Sequence, residues 1–153
     1  IPHSFEIADA AGLSYSFGIA NLTSAHPNSV VLEVKGKSGR TLEVQACSLG
    51  GGRIMINRLD GLDVNCTCEI PTLIVHNLDQ PGHVAEVTSM LAHKSVNIAN
   101  MSLYRDKRGG SAVMVVEMDQ PLTKESLQWL EHLEGIVKVT YINVTEGEED
   151  NVL

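Results

Sequence analysis

Four groups of residues have types and spacings that suit chemistry. In Asp79-Gln80-Pro81-Gly82, Pro81 holds Gln80 extended and Gly82 permits a tight turn, so the helix that follows begins with free N–H groups facing the loop. A helix start of this kind attracts an anion such as an amino-acid carboxylate, although an ordinary strand-to-helix turn accounts for the same residues. Asn97, a carboxamide among the apolar residues of Val96-Asn97-Ile98-Ala99, is expected close to that loop after a βαβ crossover, and its partner is a loop backbone group or a ligand. In Ser48-Leu49-Gly50-Gly51-Gly52-Arg53, successive glycine N–H groups beside a cation would make an anion nest, or else a tight strand connection against another backbone. His26-Pro27-Asn28 reads as a turn that starts a strand or as an effector or interface contact. Cys66-Thr67-Cys68 offers two thiols, but a four-ligand metal site needs two more donors and Cys47 is the only other cysteine, so no metal site is expected. Nothing orders a Ser/His/Asp triad among the six His, and no catalytic residue is assigned.

The elements that must carry these groups fall into two halves. In the first, Phe5, Ala8 and Ala11 recur at helical spacing before Gly12, and Leu13 to Ile19 reads as extended. Ser29 to Lys35 and Arg40 to Cys47 form a hairpin about Gly36-Lys37-Ser38-Gly39, followed by a strand at Ile54 to Ile56 and a turn at Leu59-Asp60-Gly61-Leu62. In the second, Leu73-Ile74-Val75 is a buried strand, and Val84, Val87 and Leu91 mark one face of a helix with Glu86, Ser89 and Lys94 outward. Val96 to Arg105 is a strand whose apolar parity shifts near Ala99-Asn100, which predicts a bulge or the strand start there; Ser111 to Glu117 is a central strand after the turn at 106–110. Thr123 caps a helix with Leu127, Leu130 and Leu133 buried, Gly135 ends it, and Ile136 to Val144 is the last strand. Glu146 to Asp150 begins a solvated acidic tail over 147–153. The fold class is α+β: a small mixed module over 1–69, then a ferredoxin-like βαββαβ unit over 70–146.

Composition narrows the function. The 153 residues are 43% hydrophobic, enough for a packed core, and 11 Lys plus Arg against 19 Asp plus Glu give a net charge of −8 without a basic stripe, which excludes nucleic acid as a main partner. No apolar run reaches the roughly 20 residues that cross a bilayer, so no membrane partner is expected, and three Cys suit a reducing compartment. A cytoplasmic protein is expected. Trp129 is expected to pack at a sheet or subunit surface.

Residues 72–145 resemble the ACT domain, a regulatory amino-acid-binding module, through Leu73-Ile74-Val75, Asp79-Gln80-Pro81-Gly82 and Val96-Asn97-Ile98-Ala99. In serine-binding members, side chains of the loop before Pro-Gly and the Asn of Val-Asn-Ile hold the effector across a two-fold interface. The resemblance therefore implies Asn77, Asp79, Gly82 and Asn97 as effector contacts, with His83 and Ile98 beside them. The family more often has Asn or a basic residue where Asp79 stands, and a carboxylate there favours the effector's ammonium group over its carboxylate. Together with Ile1-Pro2-His3-Ser4-Phe5, His26-Pro27-Asn28 and Ser48-Leu49-Gly50-Gly51-Gly52, nearly the whole chain resembles the β subunit of bacterial iron-sulfur-dependent L-serine dehydratase.

That resemblance implies a share in converting L-serine to pyruvate and ammonia, with a [4Fe-4S] cluster on an α subunit or domain and no cofactor on this chain. It also implies an inactive isolated chain, an L-serine or related effector, and an interface or anion role for His26, Asn28, Ser48, Gly50, Gly51, Gly52 and Arg53. The family's Ser-Ser-Ser-His-Thr segment is absent and the sequence starts at Ile1, so a C-terminal fragment is expected. A homodimer through the ACT sheets is expected as well, because helices on one face leave the other face bare. The alternative is the regulatory end of another enzyme of amino-acid metabolism, such as 3-phosphoglycerate dehydrogenase.

Overall fold

The computed structural model describes residues 2–22 and 25–143. Alternating apolar residues and glycine turns build β1 (Ser29–Lys35), β2 (Thr41–Gly50), β3 (Arg53–Leu59) and β4 (Leu62–Cys66) into an antiparallel meander after a short helix, α1 (Ser4–Ala10). The sequence implies three or more strands in this half, and β4 is the fourth. Its period-2 pattern spans only five residues and is hidden behind the Asp60-Gly61 turn.

The second half runs β5 (Thr72–Leu78), α2 (His83–His93), β6 (Ile98–Arg105), β7 (Ser111–Met118), α3 (Lys124–Glu131) and β8 (Ile136–Ile142). The strands are antiparallel in the order β6-β7-β5-β8, the ferredoxin-like arrangement. Thr123 caps α3 by accepting from the Ser126 amide. The expected bulge is present: the β6–β7 register jumps between Ile98 and Asn100, leaving Ala99 unpaired. The expected end of the last strand at Val144 and the acidic tail lie outside the described residues.

Two cores hold the sheet of the second half, one on each face. On the helix side, Leu73, Val75, Met114, Val116 and Val139 pack with Val87, Leu91 and Leu130. On the other, Ile74, Val113 and Val115 meet Ala46, Ile56, Leu59, Val64 and Cys66 of the first sheet and Cys68 just after it. The bare face expected to pair with a second copy is therefore covered by the chain's own first module. The physical sign was in β5 and β7, whose unbroken apolar runs require cover on both faces.

Polar contacts clamp this interface at one end. Asp60, in the β3–β4 turn, accepts from Lys138 Nζ (2.6 Å) and from the Glu43 amide (2.9 Å), and lies 3.5 Å from His76 Nε2. Lys138 Nζ also donates to the Thr41 carbonyl (2.7 Å), while Arg40 donates to the Val139 carbonyl and to Glu131. Partial burial opposes the Asp60 charge, but Lys138 and the Glu43 amide outweigh it and hold the carboxyl below its usual range. For His76, burial prevails over Asp60 and pushes the imidazole pKa down.

Candidate functional site

Strand alternation sets which way the end of β5 points. Leu73 and Val75 face the helices and Ile74 faces the first sheet, so Asn77 looks to the helix side and His76 to Asp60. Asn77 is 4% exposed. Its Nδ2 donates to the Leu78 carbonyl (2.6 Å), and its Oδ1 has no partner. The loop then turns at Gly82, whose φ of +108° favours glycine, and α2 starts with no side-chain cap. The first turn of α2 thus presents backbone N–H groups with a positive dipole end.

His83 completes this cluster. It is 7% exposed, its Nδ1 lies 3.3 Å from Glu86 Oε2, and its Nε2 is buried without a partner. Its ring lies against Gly135 in the α3–β8 turn, where a Cβ would come within 2.5 Å of ring atoms Cε1 and Nε2. Gly135 in turn accepts from the Leu78 amide (2.9 Å), tying the turn to the end of β5. In the sequence Gly135 reads only as a helix stop; its contact with His83 spans 52 residues and has no local signal.

Asp79 is occupied within the chain. Its Oδ2 accepts from the Gly109 amide (2.9 Å) and from Arg105 Nη1 (3.1 Å), and its own amide donates to Gly110 (2.9 Å). The Gly109 amide, aided by Arg105, holds this carboxyl below its usual range. Asp79 pins the loop to the β6–β7 hairpin, and its charge is met before any ligand arrives.

Asn97 does not join this cluster in one chain. Its Nδ2 donates to Asp119 Oδ2 (2.6 Å) and its amide to Gln120 Oε1 (2.6 Å). Adjacent Ile98 pairs with Met118, whose amide bonds to Pro71. This is the N-terminal end of β5, whereas the Asp79–Gly82 loop leaves the C-terminal end, about 20 Å away along the strand. The expectation that a βαβ crossover brings Asn97 near the loop is thus corrected: α2 carries the chain back, so β6 starts beside the start of β5, with β7 between them.

The first-module motifs come together in part. The Asn28 carbonyl accepts from the Ser48 amide (2.9 Å), the His26 carbonyl accepts from Ser29 Oγ (2.7 Å), and His26 Nδ1 receives the Asn28 amide (3.2 Å). Gly51 and Gly52, at φ +62° and +80°, form the two-residue turn of the β2–β3 hairpin. A Cβ on Gly50, Gly51 or Gly52 would meet nothing within 4 Å, so no second backbone packs there. Arg53 is engaged by Glu69 (2.8 Å), which raises its pKa further.

Cys66 and Cys68 lie 3.8 Å apart at sulfur, and Cys47 is buried opposite Met55. Among the described residues no three His, Cys, Asp or Glu converge as metal ligands. A groove of about 710 Å³ between α2 and α3, lined by Ala85, Met90 and half-exposed Trp129, includes none of the loop residues.

The βαββαβ unit is an ACT domain: residues 71–131 match the family model of that description. Over 93% of its length the chain is 32% identical to a probable L-serine dehydratase, beta chain, from Bacillus subtilis, and over 94% it is 30% identical to the L-serine dehydratase, beta chain, of Peptoniphilus asaccharolyticus. The chain spans 64% and 65% of those proteins. It is also 31% identical to D-3-phosphoglycerate dehydrogenase of Archaeoglobus fulgidus, over 61% of this chain and 18% of that one. The resemblance read from both halves of the sequence therefore holds: this is a dehydratase β-chain-like sequence with an ACT domain. No helix among the described residues is long and apolar enough to cross a membrane.

Proposed function

We propose that this chain is the regulatory part of an iron-sulfur-dependent L-serine dehydratase and that it senses a small amino acid, L-serine first, at the C-terminal end of β5. One observation carries the reading. Two buried polar atoms without partners, Asn77 Oδ1 and His83 Nε2, lie beside an uncapped helix start. Unpaired buried polar atoms cost roughly 1–3 kcal/mol each, and a zwitterion offers the complements required: an ammonium donor for Oδ1 and for Nε2, which accepts when Nδ1–H faces Glu86, and a carboxylate for the helix N–H groups.

The site is completed by a second copy. β8 is blocked, since the carbonyl of Val139 is taken by Arg40, whereas β6 is an open edge strand. Antiparallel pairing of β6 with its copy about a two-fold axis would carry the partner subunit's Asn97 to the Arg105 end of this chain, where Asp79 and the loop lie. The homodimer is thus proposed through strand edges instead of sheet faces. Effector binding then favours one of two dimer states, and an α chain reads the difference.

Following the resemblance, the [4Fe-4S] group is proposed on an α chain or domain, and the isolated chain is expected to be inactive. A cytoplasmic setting accompanies this role. The alternative, a regulatory end of a phosphoglycerate dehydrogenase, has weaker support: the Archaeoglobus enzyme leaves more than a third of this chain unmatched, and the Bacillus subtilis enzyme, matched over 90% of it, is only 25% identical.

Calorimetric titration with a panel of amino acids tests the reading. Saturable L-serine binding is expected, lost in both Asn77→Leu and Asn97→Ala. Mixing the two variants should restore about a quarter of the sites, because random exchange makes half of the dimers heterodimers and each of these keeps one intact Asn77 opposite an intact Asn97. Heat from no amino acid would remove the sensor, and failure of the mixture to recover binding would remove the shared site.

A further inference from the structure

Cys66 closes β4 and Cys68 lies in the irregular stretch 67–71 that joins the two modules. Two residues of extended chain cover about 6.6 Å, so a straight Cys-x-Cys holds its side chains apart. Here the backbone of Cys68 is left-handed, at φ +54°, and the two sulfurs are drawn to 3.8 Å. Among the described residues only Asp60 and Ser95 share this conformation without being glycine. Asp60 is in a hairpin turn and Ser95 follows the end of α2, both ordinary places for it. Cys68 has neither excuse. Strained residues of this type collect at sites where the local geometry is used.

We infer that Cys66 and Cys68 form a dithiol modification site that hydrogen peroxide converts into an intramolecular disulfide. The sulfurs are buried, but the chain directly after them, Glu69 and Ile70, is exposed, and peroxide is close to water in size. In the first step a Cys68 thiolate attacks one peroxide oxygen and the O–O bond breaks, giving a sulfenic acid and hydroxide. In the second, the Cys66 sulfur attacks the sulfenic sulfur; the S–O bond breaks, and the two protons released from the thiols leave in two molecules of water. Two sulfurs lose two electrons in all, and the peroxide gains them.

Geometry favours this course over further oxidation. The resolving thiol is already in contact, and closing from 3.8 Å to about 2.05 Å takes a shift of under 2 Å. The hydrogen bond between the sulfurs holds the Cys66 thiol well above its usual range, with burial adding to the effect, which suits Cys66 as the resolving partner. Cys47, in β2 and outside the pair, has no such partner in contact. The bond would stiffen the junction through which the first sheet meets the ACT domain.

Peroxide treatment of the folded chain, followed by alkylation under denaturing conditions and digestion with trypsin, tests the assignment. Cleavage after Arg58 and Lys94 leaves Cys66 and Cys68 in one peptide and Cys47 in another. The expected product is a 59–94 peptide lacking two hydrogens and refusing alkylation until dithiothreitol is added, while Cys47 is still alkylated. In Cys68→Ser the loss of hydrogens should vanish, and in Cys47→Ser it should persist. The inference is overturned if both cysteines of wild-type 59–94 remain alkylatable when Cys47 has reacted, if either sulfur gains oxygen without forming the bond, or if Cys47 is found in the cross-link. The wild-type peptide map decides the matter even if a serine variant fails to fold.

Discussion

The two ends of the ACT sheet carry similar side chains in opposite states. At the start of β6, Asn97 has its carboxamide on Asp119 and its backbone on Gln120. At the end of β5, Asn77 keeps a buried carbonyl oxygen unpaired beside His83, whose Nε2 is equally unpaired. One end is saturated by the chain itself, while the other leaves a donor-hungry oxygen next to free helix N–H groups. Pairing state, more than residue type, separates a carboxamide already held within its own chain from one with a buried oxygen left open, and in the proposed dimer Asn97 would reach the effector while Asp119 holds its Nδ2.

The largest effect on this contrast should come from Gly135. Adding a methyl group in Gly135→Ala drives a Cβ into the His83 ring and strains a backbone at φ +79°, which should cost about 2–4 kcal/mol in urea unfolding and weaken L-serine binding. Leu130→Ala, which empties a fully buried position, should cost as much in stability, about 2–5 kcal/mol, but bears less on the contrast, because binding at the loop is unchanged as long as the chain is folded.

Smaller changes sharpen the comparison further. Asn77→Leu removes one made hydrogen bond and one unmade one, so unfolding free energy should move by less than about 1 kcal/mol while binding disappears. Asn97→Leu should cost about 0.5–1.5 kcal/mol, because it breaks a bond already in place. A larger stability loss at Asn77 than at Asn97 would reverse the contrast.

The smallest effect is on pH. His76 is depressed by burial, so the unfolded chain takes up protons that the folded chain refuses as pH falls below about 6.5. Stability should therefore fall from pH 7.5 to pH 5. Thermal unfolding should show a shallower fall in His76→Gln, and an identical slope in the two proteins would show that His76 is not its source. Asp60, also depressed, adds its loss only at lower pH, as its carboxyl protonates.

Much of this architecture was legible in the sequence, because alternation and helical spacing report which face of an element is buried. They gave the βαββαβ order, the central position of β7 and the slip at Ala99. They do not report which end of a strand a residue occupies relative to a neighbour. That depends on strand direction, and it is why Asn97 was expected near the loop. Nor do they say what covers a face: Ile74, Val113 and Val115 meet the first sheet through contacts distant in sequence. Of the candidate loop, Asn77, Gly82 and His83 lie between the end of β5 and the start of α2, Asp79 is taken by Gly109 and Arg105, and the contribution of Gly135 had no local trace.

The claim at the centre is that this end of β5 receives an amino acid, and a nitrogen-15 amide spectrum titrated with L-serine tests it most directly. The account expects saturable shifts of the amides of Gly82, His83 and Val84 and of the Asn77 side chain, with Gly51 and Gly52 unmoved. A spectrum that does not change, or one that moves only at the glycine hairpin, would contradict it.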